Sequence, residues 1–311
     1  MNELIGKIEG LVDRPRKRYG LLRNRPLWFQ LWSCLDVIGD TDLAVTSYEA
    51  REFGTTDGAR YLAIYGLLQA LYVQQDAVRN LCEALEIPQT IDKYPRIKEV
   101  RELRHDSIGH PTKRDRRKPT SYHFISRMSL QPDGFDLHSL YSDGESKCTT
   151  VSITGLVADQ RRYVDDVLQA VIRTLEEEEA AHKEKFRVEK LAAVFPSTLD
   201  YALQKVLQCT TTTEDAALGQ AHLQGIAQAL QAFRDALARR GIELDTYPSI
   251  RDVYQSLEYP LGELERLFDR AKAGAGPRIH ARAAEIFAWY VQRQVAELRA
   301  MAREIDADYS S

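Results

Sequence analysis

The sequence predicts a mainly α-helical protein built from a helical bundle with a small inserted β-meander, followed by a second all-α domain. Three observations carry that expectation. Apolar residues recur with a helical period before residue 110 and again from Gly155; three short β-prone runs lie between Ser121 and Ile153; and the helical pattern breaks around Pro196 and then resumes. A chain of 311 residues is about twice the usual domain length. The expected division is therefore residues 1–195, with the β insertion at about 120–154, and residues 196–311. With 44% hydrophobic and 28% charged residues, the composition is that of a folded core under a solvated surface and excludes a disordered chain.

The elements follow in order. After the basic leader "DRPRKRYGLLRNRP", Trp28, Leu31, Leu35 and Ile38 fit one helix face, and Thr41 reads as the start of a second, short helix. "GTTDGAR" is a turn before a strong helix from Ala59 to Leu85. Its first half, Tyr61, Leu62, Ile64, Tyr65, Leu67, Leu68, Leu71, Tyr72 and Val73, is apolar nearly all round, which places it at a bundle centre. Pro88 closes it and Pro95 opens the next helix. "YHFISRMSL", "GFDLHSLY" and "CTTVSI" are strands separated by the turn signals "QPDG" and "SDGESK". A helix from Gly155 to about Lys190 is marked by Val164, Val167, Leu168, Val171 and Leu175, and its "EEEE" run is a solvated face. Beyond "FPSTLDY" lie helices over Thr198–Cys209, from a capping box of Thr211 and Glu214 to near Gly241, over Ser249–Lys272, and from Pro277 to about Ile305. "KAGAGPR" follows no strand, so it reads as a helix stop and restart rather than a phosphate loop.

Charge and cysteine usage narrow the function classes. The net charge of −4 argues against a protein coated in cations, yet residues 1–120 hold 20 Lys/Arg against 17 Asp/Glu. A polyanion should therefore meet the first third of the chain. Cys34, Cys82, Cys148 and Cys209 form no CxxC pair, so neither a zinc site nor a disulfide framework is expected. Neither a signal peptide nor a membrane-spanning stretch is read in the sequence, and a cytoplasmic protein with no membrane partner is expected.

"RELRHDSIGHP", Arg101 to Pro111, concentrates two Arg, two His and an Asp at the end of a helix. Helical spacing puts Ile97, Val100, Leu103, Ser107 and Ile108 on one side with Arg104 among them. A guanidinium cannot shed its charge, so an anion, a carboxylate partner or a wet cleft should face it. Gly109 and Pro111 stop the helix, and a Gly-terminated end lets His110 swing back toward Arg104.

"RHDSIGH", meaning Arg104, the polar His105, four further residues and His110, resembles the motif of the HEPN superfamily, and "ELRHDSIGHPT" is similar to a form seen in many bacterial members. The resemblance spans about residues 20–190 in architecture and Arg101–Thr112 in residues. It implies a HEPN-like helical bundle and a metal-independent endoribonuclease without cofactor, in which the ribose 2′-hydroxyl attacks its neighbouring phosphate. Arg104 would stabilise the phosphate charge, His110 would act as general acid or base, and His105 would assist. It also implies a homodimer with two motifs facing each other, a toxin or antiphage role, and an antitoxin or regulatory protein as a possible partner.

After the motif, Lys113, Arg114, Arg116, Arg117 and Lys118 form a candidate RNA backbone track, extended by Arg16, Lys17 and Arg18 of the leader. Tyr122, His123 and Phe124 are candidates for stacking on unpaired bases. The alternatives are a non-catalytic RNA, nucleotide or partner-binding module, and a helical scaffold in which Arg104 is a structural ion pair. A metal-dependent phosphohydrolase reading of His105–Asp106 fails because no His precedes His105.

Overall fold

The computed structural model describes residues 1–88, 94–115, 119–211, 215–244, 247–275 and 279–310. The chain is mainly helical with one small antiparallel sheet, and it divides into two compact units: Met1–Arg14 with Leu21–Glu176, and Pro15–Gly20 with Glu177–Ser311. The division falls between residues 176 and 177 rather than at 195/196. Its physical reason is a continuous helix, α6 (Ile153–Phe186), whose Leu168, Val171 and Leu175 pack into the first core before the chain passes on without a break.

In the first unit, α1 (Asn2–Val12) buries Ile5, Ile8, Leu11 and Val12, an amphipathic spacing that sequence reading passed over, and the short α2 (Pro15–Leu22) follows it in the chain. α3 (Arg25–Glu49) is one helix of 25 residues, where a break near Thr41 had been expected. Thr41 does not cap a new helix; its hydroxyl donates back to the carbonyls of Val37 and Ile38 at 2.7 and 3.1 Å, so the helix continues through it. α4 (Asp57–Ala84) begins where Thr56 accepts the amide of Ala59 at 3.2 Å. It contributes to two cores. Val78, Leu81 and Cys82 pack with α1, α3 and α6, whereas Ile64, Leu67, Leu68 and Leu71 pack beneath the sheet. Among them Gln160 of α6 binds Gln74, Gln75 and the Leu71 carbonyl at 3.0, 3.0 and 3.2 Å, which offsets the cost of burying these amides although Gln75 Oε1 has no partner among the described residues.

Contrary to the expectation of an all-round buried helix, α4 leaves Leu62 75% and Tyr65 36% exposed. The sheet has the order β1 (Ser121–Ile125), β2 (Gly134–Tyr141), β3 (Ser146–Ser152), with both pairs antiparallel. Ile125, Phe135, Leu137 and Val151 point into the core against α4 and α5 (Pro95–Arg104).

The second unit is helical among the described residues: α7 (Leu199–Cys209), α8 (Ala216–Arg239), α9 (Pro248–Lys272) and α10 (Ala281–Asp308). One continuous core, from Leu191 through Phe233 and Phe268 to Ala302, holds them together. Glu214 of the expected capping box and Pro277 of the expected helix start lie outside the described residues. Gly274 takes a positive φ of 67° just after α9, as a glycine helix stop requires.

Candidate functional site

The end of α5 is not an α-helical end. After Arg104 the chain closes one π turn, His105–Gly109, in which the amide of His110 donates to the carbonyl of His105 at 2.8 Å. In a regular α-helix residues five apart sit about 140° from each other around the axis, at about 100° per step. The i to i+5 closure instead sets His110 over His105. Their rings lie parallel, 6° apart in plane, with centroids separated by 6.3 Å. Pro111 then forbids continuation, and His110 leaves the helical region at φ −142° and ψ 51°.

Gly109 is what lets the charged groups gather. A Cβ built there would stand 2.9 Å from Arg104 Nη1 and 3.2 Å from His105 Nδ1. The guanidinium of Arg104 and the imidazole of His105 therefore both lie over the bare backbone of residue 109, next to exposed His110.

Arg104 is half-buried against α4 rather than sunk in the core among Ile97, Val100 and Leu103. Its Nε donates to Gln69 Oε1 at 3.0 Å and its Cζ sits 4.9 Å from the centre of the Tyr72 ring. Among the described residues no carboxylate pairs with it, so the ion pair weighed from the sequence is not formed. Arg101 also lies over Tyr72, at 4.3 Å. Asp76 Oδ1 sits 3.0 Å from Arg101 and 3.2 Å from Arg79, close enough for charge pairing though not aligned for a hydrogen bond. His105 meets the Tyr72 ring edge-on at 5.9 Å. Tyr72 is thus the common support of two guanidiniums and an imidazole. Gln69, Tyr72 and Asp76 were missed as site residues. Their spacing of three and four along one face of an otherwise apolar helix is the signal that would have found them.

A second set of contacts ties the π turn to the sheet. Arg114 bonds Asp106 through Nη1 and Glu102 through Nη2, the latter at 2.7 Å, and its side chain is only 18% exposed. Its backbone pairs with Ser121, and the amide of His123 donates to the Pro111 carbonyl at 2.6 Å. Arg114 therefore corrects the expected RNA track: its fork is occupied by two carboxylates. Lys113 is exposed beside Asp115 at 3.4 Å, while Arg116, Arg117 and Lys118 lie outside the described residues. In the other unit Arg16 and Lys17 pair with Glu179 and Glu178 at 3.0 and 2.7 Å, so these two are engaged as well.

His123 is also corrected. It is buried, with Nδ1 2.8 Å from Ser139 Oγ and Nε2 2.9 Å from Ser121 Oγ, and its Nε2 lies 3.5 Å from Asp106. It cannot stack on a base; Tyr122 and Phe124, on the opposite face, are exposed.

Burial, then the neighbouring guanidiniums of Arg104 and Arg114, hold His105 below the usual imidazole range. At neutral pH it is therefore uncharged and able to accept a proton. The site thus sets a permanent cation, an imidazole kept neutral and a solvent-facing imidazole around one glycine. Among the described residues no group of three or more His, Cys, Asp or Glu is placed to hold a metal ion. No protein-family model, curated protein or solved structure matches the chain.

Proposed function

We propose that the protein is an endoribonuclease that cleaves RNA through attack of the ribose 2′-hydroxyl. The observation that carries this reading is the gathering of Arg104, His105 and His110 at Gly109. In the reaction one imidazole takes the 2′-hydroxyl proton as the 2′ oxygen bonds to phosphorus. The other gives a proton to the departing 5′ oxygen as its bond to phosphorus breaks, leaving a 2′,3′-cyclic phosphate and a 5′-hydroxyl. His105, held neutral, suits the base; His110, facing solvent, suits the acid. The guanidinium of Arg104 stabilises the charge gathering on the phosphorane. All the electrons and protons of this step come from RNA and the two rings, so no cofactor enters it.

The resemblance of "RHDSIGH" to the HEPN motif points the same way and carries with it the expectation of a homodimer. The uncovered stripe of α4 supports that expectation: Leu62, Tyr65 and Gly66 are exposed on the face that leads, one turn on, to Gln69 and Tyr72 beneath Arg104. A second copy seated there would bring two Arg104–His110 tips together. A role as a toxin or antiphage effector, restrained by a protein partner, is the biological setting this chemistry suits.

The test is incubation of the protein with total RNA in EDTA beside the His110→Ala variant. Wild-type protein should yield fragments ending in cyclic phosphate, and the variant should cut at least about 100-fold more slowly while remaining folded. RNA that is bound and stays whole under every condition would replace this reading with that of a binding module.

A further inference from the structure

We infer that the outward face of the three-stranded sheet is a stacking platform for the bases of a single-stranded RNA, continuous with the Arg104–His110 tip. The inference rests on the nuclease reading for the purpose of the strand, but the surface stands on its own geometry. β1 alternates strictly: Ser121, His123 and Ile125 are buried, while Tyr122 and Phe124 are 38% and 52% exposed. Register places Tyr122 opposite Leu140 and Phe124 opposite His138. The rings of Phe124 and His138 are parallel within 9°, with centroids 4.9 Å apart. More than half of Phe124 remains uncovered, so this two-ring stack is open at one end.

The chemistry of the patch selects its occupant. Beside the exposed Leu140 it presents the flat rings of Tyr122, Phe124 and His138, and a nucleobase adds to a flat ring by stacking. Tyr122 and Phe124 stand about 7 Å apart along the strand, which suits bases splayed from an extended backbone and not the closed stack of a duplex. The hydrogen bond from the amide of His123 to the Pro111 carbonyl sets the β1 backbone beside the residue that follows His110, so the edge of the platform adjoins the segment that carries the tip. Lys113 is exposed near the Ser121 end of β1 and Arg127 beyond its Ile125 end, and Asp136, on the same face as Phe124, is engaged by the Thr150 hydroxyl at 2.7 Å.

The experiment uses the full chain and a short fluorescent 2′-O-methyl RNA, which has no attacking hydroxyl, read by anisotropy against the same sequence as a blunt duplex. Wild-type protein should prefer the single strand. Phe124→Leu should weaken that binding by about 5- to 100-fold with little change for the duplex, and Phe124→Trp should restore it. Unchanged binding by both Phe124→Leu and Tyr122→Leu, each folded by circular dichroism, overturns the platform. So does loss of binding that tracks dissociation into monomers in the ultracentrifuge, since the face would then meet a second copy. A strand bound through Phe124 by a protein that cuts no RNA sinks the nuclease reading alone; RNA cut normally by the leucine variants sinks the platform alone.

Discussion

Two arginines, one in each unit, are held in opposite ways. Arg240, at the end of α8, is 1% exposed and caged: it bonds the Glu189 carbonyl, lies 3.3 Å from Asp306, and sits over the rings of Phe186 and Tyr309 at 5.4 and 5.0 Å. Asp306 is itself held by the amides of Leu191 and Ala192 at 2.8 and 2.9 Å. Every charge there has a partner of opposite sign or an aligned dipole, and nothing of the guanidinium faces outward. Arg104 has a neutral amide, an aromatic ring and a bare glycine around it, with no carboxylate among the described residues. A cation compensated inside the fold is architecture. One that the fold orients and leaves uncompensated is ready for an anion from outside.

The sharpest way to break this contrast is to remove each guanidinium. Arg240→Ala leaves Asp306 buried with its two amide hydrogen bonds but no cation, and should destabilise the second unit by about 3–5 kcal/mol, read as a lower denaturant midpoint. Arg104→Ala removes one hydrogen bond and one cation–π contact. It should cost only about 1–2 kcal/mol of stability while lowering RNA cleavage about 100- to 1000-fold. If Arg104→Ala unfolds the first unit and Arg240→Ala is harmless, the assignment of the two roles is reversed.

A smaller effect is expected at Gly109. The added methyl of Gly109→Ala pushes against Arg104 Nη1 and His105 Nδ1, which are the ends of side chains and can yield. Stability should change little, whereas cleavage should fall about tenfold or more through misplacement of the reacting groups. Equal losses of stability and activity would show that the turn, and not the placement of its side chains, matters.

The smallest effect concerns pH. His105 is depressed by burial and then by Arg104, and His182 in the other unit by burial and then by Arg16. For each, the unfolded chain takes up a proton at a higher pH than the folded one. Their contribution is complete above the ordinary histidine value of about 6.5 and is lost as pH falls toward the lower folded values. Thermal unfolding should therefore shift downward from pH 7 to pH 5, less so in His105→Gln and in His182→Gln. The acid limb of the cleavage profile should have its midpoint below 6.5 and should be missing its inflection in His105→Gln.

How much of this was legible in the sequence differs by element. The sheet was, because Asp143–Gly144 and Asp133–Gly134 are local turn chemistry; Gly144 takes φ 93° and Asp143 accepts the Glu145 amide at 3.1 Å. The Arg–His spacing was legible too. The π turn was not, since the residue spacing does not distinguish an i to i+5 closure from an ordinary helix end. Arg114 was misread because charge runs carry no record of which carboxylates fold back to meet them. Leu62 and Tyr65 were misread for a related reason: an apolar period marks what should be covered, whether by this chain or by another.

The clamp of Arg114 on Asp106 and Glu102 also orders events in time. The Arg–His segment emerges from the ribosome before the residues that fix it, since Arg114 is anchored through its pairing with Ser121, and β1 has no partner until β2 is complete at Tyr141. A nascent chain that has just produced His110 therefore carries this tip without the clamp that holds it. Synthesis has moved on by some thirty codons before that clamp can be set.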